Sequence, residues 1–183
     1  MMKVFNEPKS NEWASIIKRP SIDAAQLNEK VKAIIEEVIV GGDDAIKKLT
    51  LQFDRISINE IKLPAEKIEA AENSLTPGLK TAIQLAKVNI EIFHNSQIQK
   101  VERIETMPGV WCWRKSVGIE KVGIYIPGGS APLFSTVLML GVPAKMAGCK
   151  EIILCTPPNE QGEIHPAILY AASLVGVTAI YNV

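Results

Sequence analysis

VGIYIPGGSAPLFSTVLMLGVPAKMAGCKEIILCTPP, residues Val122 to Pro158, runs from a short apolar stretch through a Gly- and Pro-rich turn into a helical stretch, then into a second apolar run. Val122–Ile126 has the length and composition of a buried strand, closed by Pro127-Gly128-Gly129. Ser135–Ala147 is helical in character, with Ser135 expected as its N-cap and Gly148 placed to end it. Glu151–Thr156 is a second strand, stopped by Pro157-Pro158, and His165–Val175 and Val177–Val183 supply a second helix and a third strand. Strand, helix, strand, helix, strand with short connections predicts a parallel sheet with right-handed crossovers. The near-continuous apolar runs predict elements buried on both faces.

Charge divides the chain in the same way. Residues 1–120 hold 34 of the 40 charged side chains, and residues 121–183 hold six. The boundary falls near Lys115–Lys121. Residues 1–115 are therefore read as a mainly helical part with a short β ribbon, and 116–183 as the first half of a Rossmann-like domain. The fold class expected is α/β, a helical N-terminal region followed by the start of an incomplete Rossmann-like parallel sheet (βαβαβ).

In the first part, Leu27, Val31, Ile34, Ile35 and Val38 recur at helical spacing between Ser21 and Val40, after Pro20, with Ser21 or Asp23 as N-cap. Gly41-Gly42 ends that helix, and Asp43 or Asp44 caps the next, whose face carries Ile46, Leu49 and Phe53. A long helix is expected from Pro77 to Gln99, with Leu79, Ile83, Ala86, Ile90 and Phe93 in one stripe. Ile56–Leu63 alternates as a short strand or ribbon does. Val110–Lys115 also alternates, placing Trp111 and Trp113 on one face as packing residues at the junction of the two parts and Cys112 on the other.

Composition excludes several functions. With 20 basic and 20 acidic residues the net charge is zero, against binding nucleic acid through phosphates. No apolar run approaches the roughly 18–20 residues of a membrane span. The N-terminus MMKVFNEPKSNEW lacks a signal-peptide h-region. Cys112, Cys149 and Cys155 form no CxxC and read as reduced thiols, Cys149 and Cys155 as small core residues, so a cytoplasmic setting is expected.

The Gly-rich turn sits where a parallel sheet offers its carboxyl edge to ligands. Gly128 and Gly129 let backbone approach a ligand closely, and the next helix's free N–H groups favour an anion. The spacing is neither GxGxxG nor GxxxxGKS, so a nucleotide site and a plain strand–helix turn both remain open readings. His94, near Glu91 and Gln97, is read as a packing residue, and His165, before Pro166, as a cap or a solvated side chain. Neither belongs to a zinc-like set of three or four ligands. Ser130 and Ser135 have no identifiable His–Asp partners. Glu36, Glu37, Asp43 and Asp44 read as a solvated helix end.

Val122–Pro158 resembles the most recognisable segment of histidinol dehydrogenases almost word for word. The likeness extends upstream through Trp13, Arg19-Pro20, Gly42-Asp43-Asp44-Ala45, Leu49-Thr50 and Phe53-Asp54, and through Asn89-Ile90, Phe93-His94 and Gln97. The resemblance implies NAD-dependent oxidation of L-histidinol to L-histidine through the aldehyde, the last steps of histidine biosynthesis, with a bound zinc ion and a homodimer whose two chains share each active site. It implies that Tyr125 contacts NAD. Family chains run to roughly twice this length or more, with their zinc ligands and a catalytic Glu–His pair after the segment matching Val183, so this chain is expected to be a fragment with no catalytic residue, no metal ligand and no complete site for NAD or zinc. The alternative is a non-catalytic module that only dimerises or binds a nucleotide.

Overall fold

The computed structural model describes residues 3–19, 24–128 and 131–183; the expected caps Ser21 and Asp23, and Pro20, Gly129 and Ser130, lie outside them. The chain forms two compact units, Met1–Val40 and Gly41–Val183. The change of composition near residues 115–121 falls inside the second.

The first unit holds α1 (Ser10–Ile16) and the start of α2 (Ala24–Phe53). Glu12 reaches back to the Lys9 N–H at 2.9 Å, and the Trp13 indole donates to the Pro8 carbonyl at 3.0 Å, so this short helix is held by its own N-terminal turn. The stripe Leu27, Val31 and Ile35 on α2 is exposed. At Gly42 the backbone leaves helical geometry (φ 54, ψ −135). A side chain there would be strained, which is why two helical segments meet at a glycine. This is the break expected at Gly41-Gly42.

The second unit is built on β3 (Lys121–Tyr125), β4 (Glu151–Thr156) and β5 (Ala179–Asn182), parallel and in that order. Helices α5 (Phe134–Met146) and α6 (Pro166–Val175) make the two crossovers. Strands added in one direction by crossovers of one hand place both helices on one face. Accordingly Ile124, Ile126, Ile152, Leu154 and Ile180 join Val137, Leu138, Val142, Ala171 and Val175 in the core. Alternate residues point the other way: Gly123 and Tyr125 are exposed, and Ile153, Cys155, Ala179 and Tyr181 only half-buried. The expectation of burial on both faces is therefore corrected, because the described helices cover only one.

Two further helices extend the covering layer. α4 (Pro77–Asn95) packs on α5, and α3 (Ala65–Asn73) packs on α6. Thr76 caps α4 by accepting from the Leu79 N–H. Ile83 on α4 is fully buried, while Phe93, at the end of the predicted stripe, is exposed. The Gln84 amide donates to the Tyr170 hydroxyl at 2.8 Å, tying α4 to α6. Gly141 of α5 lies against Val175 of α6 so closely that a Cβ would come within 2.3 Å of the valine Cγ2.

The Ile56–Leu63 ribbon exists as a short antiparallel contact on the free edge of β5: Lys62 bridges Tyr181, Leu63 N–H donates to Ile180 O at 2.9 Å, and Asn182 N–H to Ile61 O at 2.7 Å. β1 (Ile104–Met107) and β2 (Val110–Cys112) form a separate antiparallel hairpin around Gly109, at φ 82. Every residue of this hairpin is exposed. Trp111 and Trp113 are about half exposed, at 51% and 53%, with the Arg103 guanidinium 5.0 Å from the Trp113 ring. They are not the packed junction residues expected, because among the described residues the two strands pair only with each other.

Candidate functional site at the carboxyl edge of the sheet

β3 ends at Tyr125, and the ladder makes one further bond, Ile126 N–H to Cys155 O at 2.9 Å, before Pro127 removes a donor. β4 ends at Thr156, where Pro157 and Pro158 act in the same way. The two loops leave a cavity of about 250 Å³ at the carboxyl ends of β3 and β4. Gly128, Leu133, Thr156, Pro157, Glu163 and His165 are among its walls. A Cβ on Gly128 would stand 2.9 Å from Pro157 Cγ, so glycine at this position sets the approach of the two loops.

Its floor and rim differ in chemistry. Thr156 is a buried polar residue in a strand whose other inward residues are apolar. Asn159 organises the rim: its Oδ1 accepts from the N–H groups of Gln161 (3.0 Å) and Glu163 (2.9 Å), and its N–H donates to Glu163 O at 2.8 Å. This local network fixes the backbone of Glu163 and leaves its side chain exposed at the cavity.

The helix starts at this edge are also unlike. His165 is the N-cap of α6, its Nδ1 accepting from the Ala167 N–H at 3.1 Å, and Pro166 at N1 has no N–H to offer. That terminus satisfies itself, which resolves the two readings of His165 in favour of the cap. α5 starts after Leu133, which gives no side-chain cap. Ser135, expected as that cap, is instead the second residue of the helix. The Thr136 N–H turns back to Leu133 O at 3.0 Å, and among the described residues the N–H groups of Phe134 and Ser135 remain for an anion or solvent.

The candidate residues are not all brought together. Gly128 lines the cavity; Tyr125 does not, since alternation turns its ring, 57% exposed, to the opposite face. There it stands in register with Cys155, itself in register with Tyr181. Burial pushes the Cys155 thiol pKa up. Cys149 packs against the core, and Cys112 is exposed. Sequence reasoning missed Thr156, Asn159 and Glu163. A polar residue closing the run EIILC, and the Asn and Glu after two prolines, were the available signals.

His94 is far from this chemistry in role: its Nδ1 meets Gln97 Oε1 at 2.7 Å and its ring makes an edge contact with Phe93 at 5.5 Å. Among the described residues no group of three or more His, Cys, Asp or Glu is placed to hold a metal ion. No described helix is long and apolar enough to cross a membrane.

A family model described as histidinol dehydrogenase matches residues 17–183. The histidinol dehydrogenase of Bacteroides thetaiotaomicron is 52% identical over 182 residues, which are 100% of this chain and 42% of that protein. That of Bacteroides fragilis (strain YCH46) is 50% identical, with the same coverage. The crystal structure of histidinol dehydrogenase from Elizabethkingia anophelis superposes with a TM-score of 0.88 at 48% identity, covering 96% of this chain and 40% of that one. The chain thus spans about 42% of the length of the curated relatives it matches.

Proposed function

The chain belongs to the histidinol dehydrogenase family, and from that premise we propose that it forms part of the NAD cleft and the helical scaffold of an enzyme that oxidises L-histidinol to L-histidine. Residues 116–183 are read as the first half of the cofactor-binding domain. The observation that carries this reading is the paired edge of the sheet: a cavity under Gly128 on the helix side and the exposed ring of Tyr125 on the other, both at the carboxyl ends of parallel strands. Open α/β sheets bind ligands at this edge. When bound, NAD supplies the hydride acceptor for an alcohol and then for an aldehyde.

The residues fit part of such a group. A cavity of about 250 Å³ lies below the roughly 300–1,000 Å³ of a typical ligand pocket, so it takes a portion of a dinucleotide. The uncapped start of α5 offers N–H groups to a phosphate. Tyr125 offers a ring face and a hydroxyl. Zinc is different: the described residues do not fit a zinc site, and the contribution proposed for this chain runs through no metal. Acid–base catalysis and metal binding are assigned to parts of the family's longer chain.

Homodimerisation belongs to the same proposal, supported by the exposed apolar side chains of the hairpin and α4, among them Trp111, Trp113, Val110 and Ile92. The three free cysteines support a reducing, cytoplasmic setting. A non-catalytic nucleotide-binding module would share the same edge, and activity toward L-histidinol separates it from the enzyme.

NAD titration of the Tyr125→Ala protein beside its parent tests the cofactor reading. Loss of a ring contact worth on the order of 1 kcal/mol weakens NAD binding about fivefold. Equal affinities with an intact fold make Tyr125 a packing residue and sink this assignment.

A further inference from the structure

The walls of the edge cavity are uneven in charge. Glu163 is the one carboxylate lining it among the described residues, and no lysine or arginine lines it. The side chain stands beyond the end of β4, the second strand of the β3–α5–β4 unit, while the Gly-rich turn follows the first. In parallel α/β sheets, an acidic side chain at the end of the second strand can meet the ribose hydroxyls of a dinucleotide whose phosphates sit at the first turn. The geometry of Glu163 suits that task. Its backbone is held on both sides by Asn159, at 2.9 Å and 2.8 Å, so the carboxylate projects from a fixed point. No ion pair engages it among the described residues.

We propose that Glu163 is a specificity-determining residue whose carboxylate accepts hydrogen bonds from the 2′- and 3′-hydroxyls of a ribose of NAD and disfavours a 2′-phosphate. The inference rests on the cofactor reading above and adds the side chain that enforces the preference for NAD over NADP. Two features act in the same direction. A carboxylate accepts strongly from sugar hydroxyls but repels a phosphate dianion. Among the described residues no lysine or arginine on the cavity wall offsets that repulsion.

Ligand-observed NMR titrations with NAD and with NADP test it on the parent protein, Glu163→Gln and Glu160→Gln. Glu160 is exposed in the same loop, does not line the cavity, and controls for loop charge. The parent binds NAD at least about tenfold more tightly than NADP, the scale of one charge-assisted hydrogen bond. Glu163→Gln weakens NAD about tenfold and leaves NADP unchanged or tighter, so the preference collapses, while Glu160→Gln retains it. Both glutamates are exposed, and unchanged thermal midpoints are expected of both variants. Equal affinity of the parent for the two dinucleotides, or an undiminished preference in Glu163→Gln, overturns the inference and leaves the cofactor reading standing. Absence of NAD binding to the parent overturns both.

Discussion

Two pieces of β structure in this chain meet water in opposite ways. β3, β4 and β5 turn Ile124, Ile152, Leu154 and Ile180 into the core at 7% exposure or less, whereas no residue of the β1–β2 hairpin is buried. Both carry apolar residues. What separates them is topology, because each parallel crossover brings a helix back over its strands while a hairpin brings only its own turn. A two-stranded ribbon alone is marginal in water, and the tryptophans of this segment stay at the surface. Apolar strand content and burial are separate properties.

The largest effect expected is on the covered side. Leu154→Ala removes a fully buried side chain from the centre of the core and should cost about 2–5 kcal/mol of stability. Trp113→Ala removes a much larger side chain and should cost less than about 1 kcal/mol, mostly its contact with Arg103. Urea denaturation of the two variants measures both. If the tryptophan costs as much as the leucine, the hairpin is packed against the rest of the chain and the contrast fails.

Next comes association. If the hairpin is an interface between copies, Trp111→Ser and Trp113→Ser should each raise the dissociation constant of the self-associated protein at least about tenfold, the scale of an aromatic anchor. Sedimentation velocity over a concentration series reads this. An unchanged constant in both variants removes the hairpin from any interface.

A smaller effect tests the two sides of the sheet with the same substitution. Gly141→Ala drives a Cβ to within 2.3 Å of Val175, a buried β-branched side chain with little room to turn. Overpacking of about 1–3 kcal/mol outweighs the gain of up to about 1 kcal/mol in helix propensity. Adding Val175→Ala should recover part of the loss, a coupling that a double-mutant cycle isolates. Gly123→Ala, with nothing within 4 Å of its Cβ, should stay within about 0.5 kcal/mol of the parent. Equal costs at the two glycines would mean that the open face is as crowded as the covered one.

Much of this arrangement is readable from residues alone, and the failures have physical causes. Glu151–Thr156 is the strand expected, residue for residue, because a continuous apolar run is bounded by Lys150 on one side and two prolines on the other. His165 and Pro166 announce a helix start that the structure places there. α3 escapes because Ala65–Asn73 has only Ile68 and small alanines to face the core, too narrow a stripe to stand out. β1 escapes because Ile104-Glu105-Thr106-Met107 has no period-2 alternation and none of its residues is buried. Coverage of one sheet face is illegible since Ile153, Ala179 and Tyr181 are themselves apolar; the direction of crossovers decides it, and no residue encodes that alone. At the site, Tyr125 and Gly128 stand out by position, but Glu163 becomes a cavity wall only through the fold of the Asn159 loop.

The smallest effect probes the open face through Cys155. Its register neighbours are Tyr125 and Tyr181, and burial raises its thiol pKa above the ordinary 9.0. A thiol whose pKa is raised by folding stays protonated longer in the folded chain than in the unfolded one. Below pH 9.0 both states hold the proton and this residue adds no pH dependence. As pH rises past that value the unfolded state ionises first, so stability falls until the folded thiol ionises as well. Cys155→Ser removes this component and should make the alkaline decline shallower, with its effect confined to the region above pH 9.0. Thermal midpoints of parent and variant, compared near neutrality and at about pH 10, measure it. Parallel declines would show that Cys155 is as wet folded as unfolded, and the open face would then be open along its whole carboxyl edge. A shallower decline in the variant means that this face is already partly dry at Cys155, beside the place where the cofactor contact of Tyr125 is proposed.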